Sequence, residues 1–537
     1  MSLRISLFFL LIFNGLLLGE SSENSDPQIV KRSNQVEPES LDPHKVLGFY
    51  ESQVIHDLFE GLVSYGPKGE ILPALAESWE IGDDGKEYRF FLRDAKWSNG
   101  DPMSAHDVVF SFRRLMNPST GASSAFMFYP IKNAAEINSG KITDFSQLGV
   151  VAETPNILVI TLNSPKSYFL DLLAHRSAVI LNRKLVQGAE SDWATPGKIV
   201  TNGAYQLAER VPLSHIMLNK SDTYWDKDNV KMDTVYYYTI EDKSQEFQRF
   251  KTQSLDITTD VPVERIQLLD ENLMRAYHEY PGLLFYFLAF NMSKPEIRDN
   301  FKLRKALSMA IDRETLINTV LKGSETPAYS IVPGGISGYT PEKINFNLNN
   351  MIKNDRNDKA KRLYQEAGFS KDNPLKIEIL YNSDMAHKKN LIAISGMWKD
   401  AFGSEIDVTF KEVEWKVYLQ MRNTGDFSIA RSGWIGDYPH PSTFLEVFSS
   451  NLSAQNPCKY QNREFEILLE QASKAATNKG SFNFFKKAER ILLEQHALIP
   501  IFHGKRRKLV NPKLYGYEDN IMDIHRSKYL SWKEKTK

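Results

Sequence analysis

One cysteine, Cys458, stands in a chain of 537 residues. A lone thiol cannot close an intrachain disulfide, and it cannot supply a CxxC redox pair or a cysteine-based zinc site. Its expected place is that of a small, partly buried side chain. Charge of one sign is also missing: 66 Lys and Arg stand against 67 Asp and Glu, a net charge of −1 with no long single-sign block. Proteins that neutralise nucleic-acid phosphates carry a basic surplus, so no nucleic-acid partner is expected. The eleven histidines are dispersed, with no HxH or HxxxH pair, which argues against a transition-metal site built from one segment. GxGxxG, P-loop, HExxH and GxSxG motifs are absent. The run of Asp226, Asp228 and Asp233 invites a calcium-loop reading. It lacks the glycine at loop position 6 and the glutamate at position 12. No catalytic residue, metal or cofactor is therefore assigned.

Long apolar runs are confined to the N-terminus. Arg4 gives a short positive start, Ile5 to Leu18 is mostly apolar, and small residues follow at Gly19 and Ser21. That order is the layout of a cleavable signal peptide over residues 1–21. The run is short of the ~20 residues of a spanning helix, although a membrane anchor is its alternative. No cysteine follows it, so a lipidated N-terminal cysteine is excluded. The mature chain should be exported, soluble and free of stable membrane insertion.

Hydrophobic residues make up 42% and charged residues 25% of the chain, enough to bury a large core. The length exceeds what one core usually serves, so two or more domains are expected. Residues 22–40 are polar and read as a loose lead-in. Beyond them helix and strand signals alternate. Tyr88, Phe90 and Leu92 alternate with Arg89 and Arg93, a strand with one buried face. Ser104 precedes AHDVVFSFRRLM with Asp107 three residues on, a capping-box pattern. Strands are predicted over 157–162, 235–240, 376–380 and 406–410. Helices are predicted over 301–310, 313–322, 358–367 and 482–495, with Gly323 and Gly368 where C-caps belong. The alternation implies mixed α/β domains.

Four stretches carry a family resemblance. They are LDPHKVLGFYESQVIHDLFEGL (41–62), LAESWEIGDDGKEYRFFLRDAKWSNGDPMSAHDVVFSF (75–112), TNGAYQL with NKSDTYWD (201–226), and a last group from NMSKPEIRDNFKLRKALSMAIDR through YNSDMAHKKN to FSIARSGWIGDYPHPSTF (291–444). Together they resemble the periplasmic oligopeptide-binding proteins of peptide ABC importers, within the peptide/nickel-binding class. The resemblance implies an α/β fold of the type II periplasmic-binding kind, two lobes with mixed sheets closing over a cleft, plus an extra third domain. Lobe one would comprise residues 22–59, 186–283 and 505–537, the extra domain 60–185, and lobe two 284–504. It implies a monomeric periplasmic receptor, without enzymatic activity or cofactor, that hands short peptides to ABC permease membrane subunits. Relatives that bind murein tripeptide, dipeptides, haem or nickel chelates share the scaffold and remain alternatives. A secreted peptidase or an adhesive surface protein are the readings outside that class.

The resemblance also suggests roles for individual residues. Asp437, after the Gly–Trp pair, would grip the peptide amine. A buried carboxylate is costly without a cation, and the ligand would supply one. The other reading is a loop aspartate capping a turn before Pro439. Arg431 resembles the arginine near the ligand carboxylate, for which a rigid guanidinium fork is suited. Its alternative is a salt bridge within the lobe. His387 and Arg422 match positions that meet the carboxylates of peptides of different lengths. Trp434 and Trp415 match aromatic walls of side-chain pockets, or else plain core. Gly433 would allow close backbone approach, and Phe49 lies on the first ligand-contacting loop. Departures from the family pattern are Leu47 and Ala289, where relatives carry acids. Both are expected to lower the cleft's negative charge, weakening the preference for lysine-rich peptides and favouring apolar side chains. A disulfide of some relatives is also missing, with Ile435 and a residue near Leu284 at its place.

Overall fold

The computed structural model describes residues 27–46, 48–188, 192–344, 353–452, 456–475 and 477–532. The candidate signal segment and Leu47 lie outside them. Three sheets, each with its own hydrophobic cluster, organise the chain.

The first is four-stranded, in the order Ile29–Ser33, Thr234–Tyr238, His215–Lys220, Tyr205–Val211. Its opening strand corrects the expected loose lead-in. Ile29–Ser33 pairs in parallel with Thr234–Tyr238 along its whole length. Its polarity misleads because Arg32 is buried and bonded: its guanidinium donates to the Ser527 hydroxyl at 2.7 Å and the His525 carbonyl at 2.6 Å. Val30, with helix residues Val54, Ile55 and Leu58, closes the cluster beneath.

The second sheet is antiparallel, in the order Ala76–Ile81, Glu87–Leu92, Ile157–Thr161, Val150–Thr154. Tyr88, Phe90 and Leu92 are buried on one face, as their alternation predicts. Helix Ala105–Met116 packs Val108, Phe112 and Leu115 into the same cluster. It starts where the capping box places it, with the Asp107 carboxylate accepting the Ser104 N–H at 2.9 Å.

The third sheet has six strands in the order Thr326–Pro327, Leu498–Leu509, Tyr277–Phe290, Ile429–Ile435, Leu375–Asn382, Ile406–Val413. Helices Phe301–Met309, Lys353–Glu366, Met385–Phe402 and Asn478–Glu494 cover its core. Gly323 and Gly368 have φ of +78° and +96°, the left-handed geometry of helix ends. The helix predicted over 313–322 is instead a short α turn, Arg313–Thr315, followed by a π turn, Leu316–Val320. There the Thr319 hydroxyl donates to the Thr315 carbonyl at 2.6 Å, a back-bond of the kind that weakens and bends a helix.

Strands Tyr277–Phe290 and Leu498–Leu509 pair antiparallel, but their register shifts between Pro281 and Phe285. Gly504 sits at this break, where an added Cβ would meet the Leu284 Cβ at 2.7 Å. A buried polar network ties the C-terminal segment to the first two sheets. Glu60 accepts from Tyr224 Oη at 2.8 Å, Trp225 Nε1 at 2.7 Å and Lys528 Nζ at 2.9 Å, and pairs with Arg526 at 3.1 Å. Burial alone would raise its carboxyl, but Lys528 and Arg526 hold it down at about 2. Among the described residues no helix is long and apolar enough to cross a membrane.

Candidate functional site

The site is built around strand Ile429–Ile435. On one side it pairs with Tyr277–Phe290 from Ile429↔Phe290 to Ile435↔Leu284. On the other it pairs with Leu375–Asn382 only at Ile429 and Ala430. From Arg431 onward no strand covers that edge among the described residues. Backbone groups alternate between the two sides of a strand. The Gly436 N–H donates to the Leu283 carbonyl at 2.9 Å, whereas the Arg431 carbonyl turns the other way and accepts from Tyr418 Oη at 2.5 Å. By the same alternation, Gly433 and Ile435 direct their N–H and C=O groups to the uncovered edge.

Side chains alternate as well. Ser432 is buried and Trp434 packs against the core, while Arg431 and Gly433 are half-buried and Ile435 is 53% exposed. A Cβ on Gly433 would meet nothing nearer than 3.5 Å. The protein's own packing therefore does not require glycine there.

Asp437 lies just past the strand. Its N–H donates to Thr443 Oγ1 at 3.2 Å, and Trp434 Nε1 approaches the same hydroxyl at 3.4 Å. Burial pushes the Asp437 carboxyl up to about 6, against the opposing charge of Arg176 and a bond from Thr443. Arg176 faces Glu51 as well as Asp437. The loop is fixed from both sides: Tyr438 is buried in the second sheet's cluster and stacks on Tyr168 at 5.3 Å. Trp434 and Asp437 line one cavity of 560 Å³ between the second and third sheets' units.

Arg431 and His387 meet around Tyr286. The Arg431 guanidinium lies 4.7 Å from the Tyr286 ring centre and donates to Asn382 Oδ1 at 3.3 Å. The His387 ring is 5.6 Å from that of Tyr286. Burial, then the charge of Arg431, brings His387 down to about 4, opposed by Asp384. Asp384 caps helix Met385–Phe402 by accepting from the Ala386 and His387 N–H groups at 2.7 and 3.0 Å. Trp415, 49% exposed, stacks on Tyr418 at 5.5 Å, and Arg422 lies 5.8 Å from the Tyr418 ring. Arg422 also acts on Cys458 and Lys459, which sets it apart from the Arg431–His387 pair.

Sequence reasoning thus finds two clusters, Asp437 with Trp434 and Arg431 with His387, flanked by Trp415 and Arg422. Phe49 opens helix Phe49–Leu58, but its side chain lies outside the described residues. Arg176, Tyr286 and Tyr438 were missed. Nothing local marks Arg176, whose approach to Asp437 is a tertiary fact. Ala289 requires a correction: it is fully buried between Ala430 and Leu498 on the adjacent strands. Its neutrality belongs to core packing, because an acid there would be buried among apolar neighbours. Leu284 and Ile435 face each other directly across the antiparallel pair. Cys458 is fully buried, and burial pushes its thiol up.

Comparison with known proteins agrees along nearly the whole chain. The family model of bacterial extracellular solute-binding proteins, family 5 middle, matches residues 70–456. The periplasmic murein peptide-binding protein MppA of Escherichia coli is 37% identical over 510 residues, 94% of this chain and 92% of that protein. The periplasmic oligopeptide-binding protein OppA of the same organism is 35% identical over 502 residues, 92% of this chain and 90% of its own. Among solved structures, Haemophilus influenzae OppA in complex with the peptide RPPGFSPFR superimposes with a TM-score of 0.79 at 34% identity, covering 95% of this chain and 99% of that one.

Proposed function

The chain belongs to the bacterial extracellular solute-binding proteins of family 5, and on that premise we propose that it captures short peptides and delivers them to an ABC import permease. The observation that carries this reading is the uncovered edge of strand Ile429–Ile435. It offers backbone donors and acceptors to any extended chain, whatever its side chains. Asp437 stands at one end of this edge and the Arg431–His387 pair at the other. Six residues of extended backbone separate Asp437 from Arg431, at most roughly 20 Å. A short peptide antiparallel to the strand would put its amine at Asp437 and its carboxylate toward Arg431 and His387. Arg422 would serve other peptide lengths. Trp434 and Trp415 would wall the side-chain pockets, with Phe49 at the start of helix Phe49–Leu58 and Gly433 leaving room for the ligand backbone.

Lobes 22–59, 186–283 and 505–537 on one side and 284–504 on the other would close about the register break near Gly504, with 60–185 as the third domain. A ligand touching both lobes shifts the population to the closed form. The receptor acts as a monomer, breaks no covalent bond in its ligand, and is exported to the periplasm after cleavage of residues 1–21. The name of one relative, a murein peptide-binding protein, favours murein peptide as the second reading. Native mass spectrometry of the mature protein, before and after unfolding and refolding, tests both. A ladder of two- to five-residue peptides, lost and then regained intact, is the expected result. One discrete murein-peptide mass transfers the function to that ligand, and shortened peptides would mean an enzyme.

A further inference from the structure

The cavity shared by Asp437 and Trp434 continues past the end of the strand, between the 126–130 segment and helix Arg463–Lys474. Six charged side chains line it: Lys166, Asp437, Glu446, Arg463, Glu466 and Glu470. Its four carboxylates are engaged by the protein. Asp437 is bonded by Thr443, and Glu446 accepts from Tyr168 Oη at 3.0 Å. Glu466 accepts from Ser449 Oγ and the Ser450 N–H, both at 2.7 Å, and Glu470 is paired with Lys474. The two cations differ. Among the described residues neither Lys166 Nζ nor the Arg463 guanidinium has a hydrogen bond or an ion pair.

Lys166 is the inner of the two. Its ammonium faces the Tyr168 ring at 5.8 Å, His440, and the field of Glu446. Burial lowers the affinity of Lys166 for its proton and raises that of Glu446, and it keeps His440 neutral, down at about 3. Glu446 takes its hydrogen bond from Tyr168 and meets Lys166 only through its charge. Lys166 is half-buried, and an arriving carboxylate would give its ammonium the charge-assisted bond that the protein does not.

We propose that this cavity receives a carboxylate carried on the amine-bearing residue of the ligand, so that the protein selects peptides with an acidic first side chain. Lys166 is the specificity-determining residue, and Arg463 stands toward the mouth. The inference rests on the peptide reading, with the amine at Asp437. A cationic first side chain would instead set its charge beside Lys166 and Arg463.

Isothermal titration of Glu-Ala-Ala, its neutral isostere Gln-Ala-Ala, and Lys-Ala-Ala tests it. The wild-type protein should bind Glu-Ala-Ala about tenfold or more tighter than Gln-Ala-Ala, and Lys-Ala-Ala most weakly. Lys166→Met should reduce the Glu-over-Gln preference to less than about threefold while leaving Gln-Ala-Ala binding nearly unchanged, and Lys166→Arg should restore it. Equal affinity of the wild type for Glu-Ala-Ala and Gln-Ala-Ala overturns the inference and leaves the peptide reading standing. So does a preference that survives in the Lys166→Met, Arg463→Gln double variant. Failure of all three peptides to bind the wild type rejects the peptide reading, and the inference with it.

Discussion

The hydroxyl of Tyr418 donates to the backbone carbonyl of Arg431 at 2.5 Å, at the point where the Ile429–Ile435 strand loses its second neighbour. A side chain takes over there what a strand would otherwise do, and it does so from a ring that also supports Trp415. Tyr418→Phe should keep the stack but leave the carbonyl to the open edge. The expected cost is about 1 kcal/mol of stability, read from urea denaturation. Peptide affinity should fall with it, since Arg431 is then held less firmly. Unchanged stability and affinity would mean that water replaces the hydroxyl without loss.

The Asp437 carboxyl gives capture a pH dependence of definite sign. In the free protein burial raises it to about 6. The amine of a peptide is held by the ionised form, so binding is strongest above pH 6. It weakens toward tenfold per unit below that pH, as the proton competes with the ligand. Titrations of one free-amine peptide from pH 7.5 to 5 should show this bend. Asp437→Asn should lose roughly a hundredfold or more in affinity at pH 7.5, and its bend near pH 6 should vanish. A variant that retained both affinity and bend would remove Asp437 from the site.

Local rules account for the elements that sequence reasoning places well. Ser104 and Asp107 start a helix through bonds only three residues apart, and Gly368 ends one through its own backbone conformation. The resemblance sets Asp437 and Arg431 side by side because both sit on one continuous segment, and the structure keeps them at the two ends of one strand edge. What was not legible depends on distant chain. Ile29–Ser33 reads as polar because the partners that satisfy Arg32, Ser527 and the His525 carbonyl, lie at the other end of the sequence. The family resemblance puts Ala289 in the cleft, and alternation offers no check on it, because its strand is buried on both faces and alternation then says nothing about direction. Lys166 and Arg176 acquire their significance only from the acids that tertiary packing brings opposite them.

Glu60 tests whether the buried polar network is structural. Its folded carboxyl lies at about 2, below the ordinary 4.5. A depressed carboxyl contributes stability that is fully present above the ordinary value and is lost as pH falls toward about 2. The shift corresponds to about 3 kcal/mol. Glu60→Gln should therefore destabilise the protein by about 3 kcal/mol at pH 7, because Lys528 and Arg526 are left buried without their counter-charge. The difference from wild type should shrink by pH 3. Urea midpoints of both proteins at the two pH values decide it, and a constant difference would show that the loss is one of packing rather than charge.

The register break between Pro281 and Phe285 makes a last, geometric prediction. Gly504 and Leu284 lie so close that an added Cβ would reach 2.7 Å from the Leu284 Cβ. Gly504→Ala should thus force the two crossing strands apart, at a cost of about 1–3 kcal/mol for overpacking. Leu284 itself packs at the border of the third sheet's core, so Leu284→Gly, which takes away the Cβ itself, should also destabilise alone. Combined, the two changes remove the clash, and the double variant should be more stable than the sum of the single losses allows, with a coupling of at least about 1 kcal/mol. If the crossing is the hinge, Gly504→Ala should additionally reduce the compaction that peptide causes in small-angle scattering, and the double variant should recover it. Strict additivity of the two losses would show that the backbone at the break relaxes freely, and that this pair does not set the geometry of the crossing.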